Sequence, residues 1–284
     1  MALVHSLWTA PMLNNERGQI CEKQIESVLW CNASSVAFAK RLGEQINLYA
    51  DDYGRELLDF LPYDNVYTLE VSSDIPTDFW AAGKFSAYKK MQLGDVHIDG
   101  DVFLKTPALL NLIKKGLAEN DLIVQCVENS WTYDNEFYKN CIHVITANNI
   151  QFAGIADYFT PAYNCGLIGF NNNKLKAKYI AHYYDSIQRI YSNADAMVMI
   201  RQNKTTWMDL LCEQQHLYSV AQGYKVCNLL GNTYDECNNN AKQLGYQHLL
   251  GPDKWLCIEQ IKRQLYNIDK NIFSDAIKKL ITLL

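Results

Sequence analysis

The chain has 284 residues, 49% of them hydrophobic and 20% charged, the balance of a protein with a large buried core. Its 14 Gly and 6 Pro are too few for a fibrous or low-complexity protein. Acids outnumber Lys and Arg by 31 to 26, a net charge of −5 that argues against a surface built to hold nucleic-acid phosphates.

Residues 3–8 read as a short buried strand ending at Thr9-Ala10-Pro11. Apolar positions at helical spacing from Ile25 to Leu42 predict a helix over 21–42, stopped by Gly43. A second strand follows at 46–50, running into Asp51 and Asp52, and a third at 66–71. A helix carrying Phe79, Trp80, Lys84 and Tyr88 is expected over 78–91. Further strands are expected at 95–99, 121–127 and 164–170. The run Cys237-Asn238-Asn239-Asn240 marks a polar loop or a helix edge. The last thirty residues carry Ile258, Ile261, Leu265, Ile268 and Ile272 at helical spacing, which predicts one or two amphipathic helices packing on the body or on a partner. Strands separated by helices predict an α/β protein with a mainly parallel sheet covered on both faces. Ligands of such sheets bind beyond the carboxyl ends of the strands.

The first residues lack the basic segment and apolar run of a secretory signal. No uncharged apolar stretch approaches the ~20 residues that span a bilayer. The nine cysteines are odd in number and scattered, with no CxxC, so reduced buried thiols and a cytoplasmic location are expected rather than disulfides or a zinc site. The 18 Tyr, 6 Trp and 10 Phe suit either a ring-rich core or a site that stacks on sugars or bases, and composition does not choose.

The most informative segment is Val96-His97-Ile98-Asp99-Gly100-Asp101-Val102-Phe103-Leu104. Two acids one residue apart at the end of a strand both reach a cleft if the chain turns there, and Gly100 permits the turn and a close backbone approach. Carboxylates this near need a cation or a shared proton. Oxygen ligands suit Mg²⁺ or Mn²⁺, which also hold phosphates. A plain surface turn is the alternative, but the apolar runs on both sides argue against it.

An Asp-x-Asp after an apolar strand, with a basic helix upstream, resembles the signature of nucleotide-sugar glycosyltransferases of the GT-A fold. Three later segments extend the likeness to glycosyltransferase family 8, the glycogenin and bacterial lipopolysaccharide galactosyltransferase group. Ala162 to Phe170 resembles its Asn-Ala-Gly strand, and Cys212-Glu213-Gln214-Gln215-His216-Leu217 its Asp-Gln-Asp segment. Gln247 to Trp255 resembles its His-x-x-Gly-x-x-Lys-Pro-Trp segment. The four segments stand in the family's order and cover most of the chain except the C-terminal helices.

The resemblance implies a GT-A type, mainly parallel mixed sheet flanked by helices, as a catalytic unit over 1–255 with a helical extension over 256–284. It implies that Asp99, Asp101 and His248 bind Mn²⁺ or Mg²⁺, that Gly251 and Lys254 form a phosphate site, and that Lys84 faces the diphosphate or sugar, a solvated helix face being the alternative for Lys84. Trp8, Thr9 and Ala10, with Asp51 and Asp52, would hold the nucleoside; Asp51 or Asp52 is equally an N-cap, and Trp8 equally core. Gly100 would serve the turn, and Asn164 and Gly166 would line the sugar or acceptor side. Glu213 and Gln214 would lie beneath the transferred sugar. The chain departs from the family in having Glu213 and Gln215 where Asp is usual, and Trp255 directly after Lys254. The implied activity is hexose transfer from a nucleotide-diphosphate sugar to a glycan or other acceptor, with retention. Gln214 is a poor nucleophile, so same-face attack fits better than a covalent intermediate. Two other readings are open: a non-catalytic nucleotide-sugar or sugar binder of the same fold, and a haloacid-dehalogenase type phosphatase. The apolar C-terminal helices, with Lys278 and Lys279, also leave a peripheral membrane contact open.

Overall fold

The computed structural model describes residues 1–13, 22–128, 136–152, 161–202, 207–250 and 253–283. Nine strands lie within them: β1 (Leu3–Leu7), β2 (Ile46–Ala50), β3 (Asn65–Thr68), β4 (Val96–Ile98), β5 (Val102–Leu104), β6 (Leu122–Glu128), β7 (Ala162–Phe170), β8 (Val226–Asn228) and β9 (Tyr246–His248). Seven form one sheet in the order β3-β2-β1-β4-β7-β6-β8, and β5 pairs with β9 in a second, two-stranded sheet. Within the large sheet β1–β2, β2–β3, β1–β4 and β6–β8 run parallel, while β7 is antiparallel to β4 and β6. The expected α/β class is borne out: a mixed, mainly parallel sheet flanked by helices and closed by C-terminal helices.

Alternating side chains of the strands feed two apolar clusters. Val4, Val124, Ile168 and Phe170 join the first, with Phe85, Tyr88, Tyr179 and Tyr183 from helices Ala82–Lys90 and Asn173–Tyr191. Phe85 and Tyr183 stack with ring centroids 3.5 Å apart, so these two helices lock together. Leu3, Leu48, Val96, Ile98 and Ile123 join the second cluster, with helix Glu22–Arg41. Ile258, Ile261 and Leu265 of helix Ile258–Ile268, and Ile272 of helix Lys270–Leu283, belong to the same cluster. The C-terminal helices therefore pack on the body, one of the two placements their spacing allows.

Several boundaries differ from expectation. β3 stops at Thr68 and is exposed throughout, as an edge strand can be. The helix expected from 78 starts at Ala82. Asn238 to Asn240 lie inside helix Tyr234–Leu244, which Thr233 caps and left-handed Gly245 ends. β5, β8 and β9 have three residues each, too short for a periodic signal. The cysteines from Cys31 to Cys257 within the described residues are free thiols. Among the described residues no helix is long and apolar enough to cross a membrane.

Candidate functional site

β4 lies between β1 and β7 and is buried throughout. At its carboxyl end the Asp99 N–H donates to the Gly166 carbonyl at 2.9 Å, and the Val102 N–H returns to the Asp99 carbonyl at 2.9 Å. The chain thus turns sharply between two acids and enters β5. Gly100 supports this by close approach to helix Glu22–Arg41. A Cβ there would lie 2.5 Å from Asn32 Oδ1, and Asn32 is itself held by its Nδ2 donating to the Val28 carbonyl.

β5 then brings the far end of the chain to the acids. Val102 pairs with His248 in the antiparallel β5–β9 ladder, and the Leu249 N–H donates to the Asp101 carbonyl at 3.2 Å. One ligand atom from each of Asp99, Asp101 and His248 falls within 4.8 Å of the others. His248 Nε2 is 3.5 Å from Asp101 Oδ1 and 4.0 Å from Asp99 Oδ2. Two carboxylates and one imidazole are a donor set that fits a divalent cation. Gly166 makes room for the histidine, since a Cβ there would lie 2.3 Å from His248 Cε1.

Two lysines meet this cluster. Lys84 projects from helix Ala82–Lys90 to Asp99 at 2.8 Å and to Glu213 Oε1 at 3.0 Å. It is mostly buried rather than on a solvated face, its side chain 12% exposed. Burial works against its charge, yet Asp99 and Glu213 more than offset this and hold its pKa well above the ordinary lysine range. Lys254 reaches Asp101 Oδ2 at 2.5 Å. Burial opposes the charge of Asp101 too, yet its carboxyl is held well below the usual range, with Lys254 the largest opposing influence.

Glu213 and Gln214 sit on a π-helical turn, Leu211–Gln215, with the Glu213 carbonyl held by the Tyr179 hydroxyl at 2.8 Å. Such turns are frequent at functional sites. Burial raises the Glu213 pKa against the pull of Lys84. Among the described residues Glu213 Oε2 and Gln214 Oε1 are buried without a hydrogen-bond partner. Each is an acceptor that a hydroxyl or amide donor would satisfy.

The ends of β1 and β2 meet on the same side of the sheet, because both strands run parallel with β4 through β1. The Thr9 N–H and hydroxyl donate to Asp51 Oδ2 at 2.7 and 2.8 Å, and Asp51 Oδ1 accepts from the Gly54 N–H at 2.9 Å. Asp51 thus caps helix Asp52–Leu58 and ties the two strand ends together. Asp52 lies on the surface, 3.3 Å from Arg55. Trp8 is half-buried against the first cluster, where Gly83 leaves room for it, and Ala10 opens the short helix Ala10–Leu13. Asn164 donates to Glu128 Oε1 at 2.5 Å and accepts from the Gly166 N–H at 2.9 Å. Gly251 lies outside the described residues.

The fold therefore gathers Lys84, Asp99, Asp101, Glu213, His248 and Lys254 in one place. Gln125, Tyr246 and Asp209 support the site without standing out in the sequence. Gln125 is a polar side chain inside the apolar run of β6, and that interruption was its signal. Its Oε1 lies 2.8 Å from His248 Nδ1 and 2.7 Å from the Tyr246 hydroxyl. Asp209 is fully buried, accepting from the Tyr183 hydroxyl at 2.8 Å and from the Ala81 N–H at the start of the Lys84 helix. Burial pushes its pKa up to about 7.

A family profile described as "Family of unknown function (DUF6734)" matches residues 1–281, and the chain belongs to that family. No curated protein matches the sequence. Among solved structures, a crystal structure of the galactosyltransferase LgtC with donor and acceptor sugar analogues is similar at 14% identity and a TM-score of 0.46. The alignment covers 94% of this chain and 96% of that one.

Proposed function

We propose that this DUF6734 protein is a metal-dependent glycosyltransferase that moves a hexose from a nucleotide-diphosphate sugar to a glycan or other acceptor with retention. The observation that carries the reading is the meeting of Asp99, Asp101 and His248 with Lys84, Lys254 and Glu213 at the carboxyl end of β4. A site that places a metal-ligand set, two cations and a buried carboxylate together is suited to a substrate with both phosphates and hydroxyls.

Asp99, Asp101 and His248 would hold Mn²⁺ or Mg²⁺, which when bound supplies positive charge to a departing diphosphate. Lys254, at the more open side of the cluster, adds a point charge for the same phosphates. Lys84 holds Asp99 and Glu213 in register and favours the charged form of Glu213 against its burial. Glu213 Oε2 and Gln214 Oε1 accept from hexose hydroxyls, and the Glu213 charge favours positive charge at the sugar carbon. Gln214 is no nucleophile, so the acceptor hydroxyl attacks the sugar carbon from the face the diphosphate leaves, the sugar–phosphate bond breaks, and the departing phosphate takes the acceptor's proton. Trp8, Thr9, Ala10 and the Asp51 corner border the nucleoside, and Asn164 and Gly166 the sugar. Asp51 supports the corner through its backbone partners. Residues 1–255 form the catalytic unit of a cytoplasmic enzyme, with 256–284 packed on it.

A second reading, a nucleotide-sugar binder without turnover, draws on one feature: Asp99 and Asp101 already have Lys84 and Lys254 as counter-ions. Thermal shift with a panel of nucleoside diphosphates and their sugars, in Mn²⁺ or in EDTA, separates the two. The transferase reading predicts stabilisation that EDTA abolishes. Stabilisation equal in both supports the binder, and none in either condition refutes both.

A further inference from the structure

We propose that Gln125 is a positioning residue that fixes the tautomer of His248. The proposal deepens the metal-site reading above and rests on it. Gln125 lies in β6, buried beside β7, with its side-chain carbonyl between two donors of β9. A carbonyl oxygen only accepts, so the Tyr246 hydroxyl and His248 Nδ1–H both donate to Oε1. Whenever the ring is neutral, its proton is then on Nδ1 and Nε2 presents a lone pair. That atom is the one 3.5 Å from Asp101 Oδ1 and 4.0 Å from Asp99 Oδ2.

A lone pair facing two carboxylates has no attractive partner among them, whereas a divalent cation within reach of all three satisfies each. Ligating histidines commonly owe their orientation and basicity to an acceptor on the other ring nitrogen. Here the acceptor is itself held. Tyr246 stands two residues before His248, on the same face of β9, and occupies the other lone pair of Oε1. Gly166 completes the arrangement, because a Cβ there would lie 2.6 Å from His248 Nδ1 and 2.7 Å from Gln125 Oε1. The strand that carries the ligand thus also carries the anchor of its orienting group, and one glycine leaves space for both.

The test uses the full chain with Gln125→Met, which keeps length and loses the acceptor, and Gln125→Glu, which keeps the acceptor. Long-range ¹⁵N NMR of the metal-free protein reads the ring, with His248→Ala assigning the resonance. Calorimetry reads Mn²⁺ affinity. Wild type is expected to be protonated at Nδ1. Gln125→Met is expected to lose that preference and to bind Mn²⁺ about 10–100-fold more weakly. Gln125→Glu should recover both. A wild-type ring protonated at Nε2 overturns the proposal, as does Gln125→Met with tautomer and affinity unchanged, or Gln125→Glu as impaired as Gln125→Met. If wild type binds no Mn²⁺ while its ring follows Gln125 as described, the Gln125–His248 assignment stands and the metal reading falls.

Discussion

Replacing Lys84 by Met removes the only ammonium that Glu213 pairs with among the described residues while keeping the aliphatic stem. Glu213 is 0% exposed, and its second oxygen has no partner, so the variant leaves a carboxylate with neither water nor a cation. Breaking a buried pair from one side costs about 3–5 kcal/mol. Protonation limits the damage, because the cost of neutralising a carboxyl with an ordinary pKa near 4.3 is ~5 kcal/mol at pH 8 but only ~2 kcal/mol at pH 6. The sign follows. Glu213 already has a raised pKa, and losing Lys84 raises it further. The folded state then holds that proton more tightly than the unfolded chain. Stability of the variant is greatest at low pH and falls as pH rises through the folded pKa. Urea unfolding at pH 6 and pH 8 should show a loss of about 3–5 kcal/mol at pH 8 and about 2 kcal/mol at pH 6. Adding Glu213→Gln should remove most of the pH dependence. An equal loss at both pH values, or no recovery in the double variant, refutes the buried ion-pair account.

Asp209→Asn mimics the protonated carboxyl, with the Tyr183 hydroxyl turning to accept. Wild type should lose up to ~4 kcal/mol of stability, relative to this variant, as pH rises from about 4 to the folded pKa near 7. A pH-independent difference between their unfolding curves would show that burial does not raise this group. Gly166→Ala must displace His248, since the new Cβ would lie 2.3 Å from its ring. Calorimetry should find Mn²⁺ affinity at least ~10-fold weaker with the circular dichroism unchanged; retained affinity would mean His248 is not a ligand.

Much of this was legible because burial leaves strong patterns. β2 was readable to the residue, being five buried apolar-rich positions bounded by polar ones, and helix Glu22–Arg41 announced itself over five turns. Asp99 and Asp101 stood out as charges between two apolar runs. The pairing of β5 with β9 was not legible: three-residue strands carry no period, and only their ladder explains how His248 returns to Asp101. The dual role of Lys84 was equally hidden, because Glu213 lies far along the chain and helical spacing alone leaves Lys84 open to either face. Asp51 shows the opposite case. Its capping role was visible in sequence beside a nucleoside role, and both of its oxygens are engaged by backbone or Thr9. Asp209 gave no local sign, since its partners come from Ala81 and Tyr183.

The central claim is that the acids at the end of β4 serve transfer from a nucleotide sugar. Its most direct test is the rate of nucleoside diphosphate release from a panel of nucleotide sugars, measured in Mn²⁺ and in EDTA for wild type and Asp101→Ala. At least one donor should be turned over by wild type with Mn²⁺, with release lost in EDTA and reduced at least ~100-fold in Asp101→Ala, as expected when a metal ligand of the reacting site is removed. Release that is indifferent to metal, or that Asp101→Ala leaves unchanged, would contradict the account.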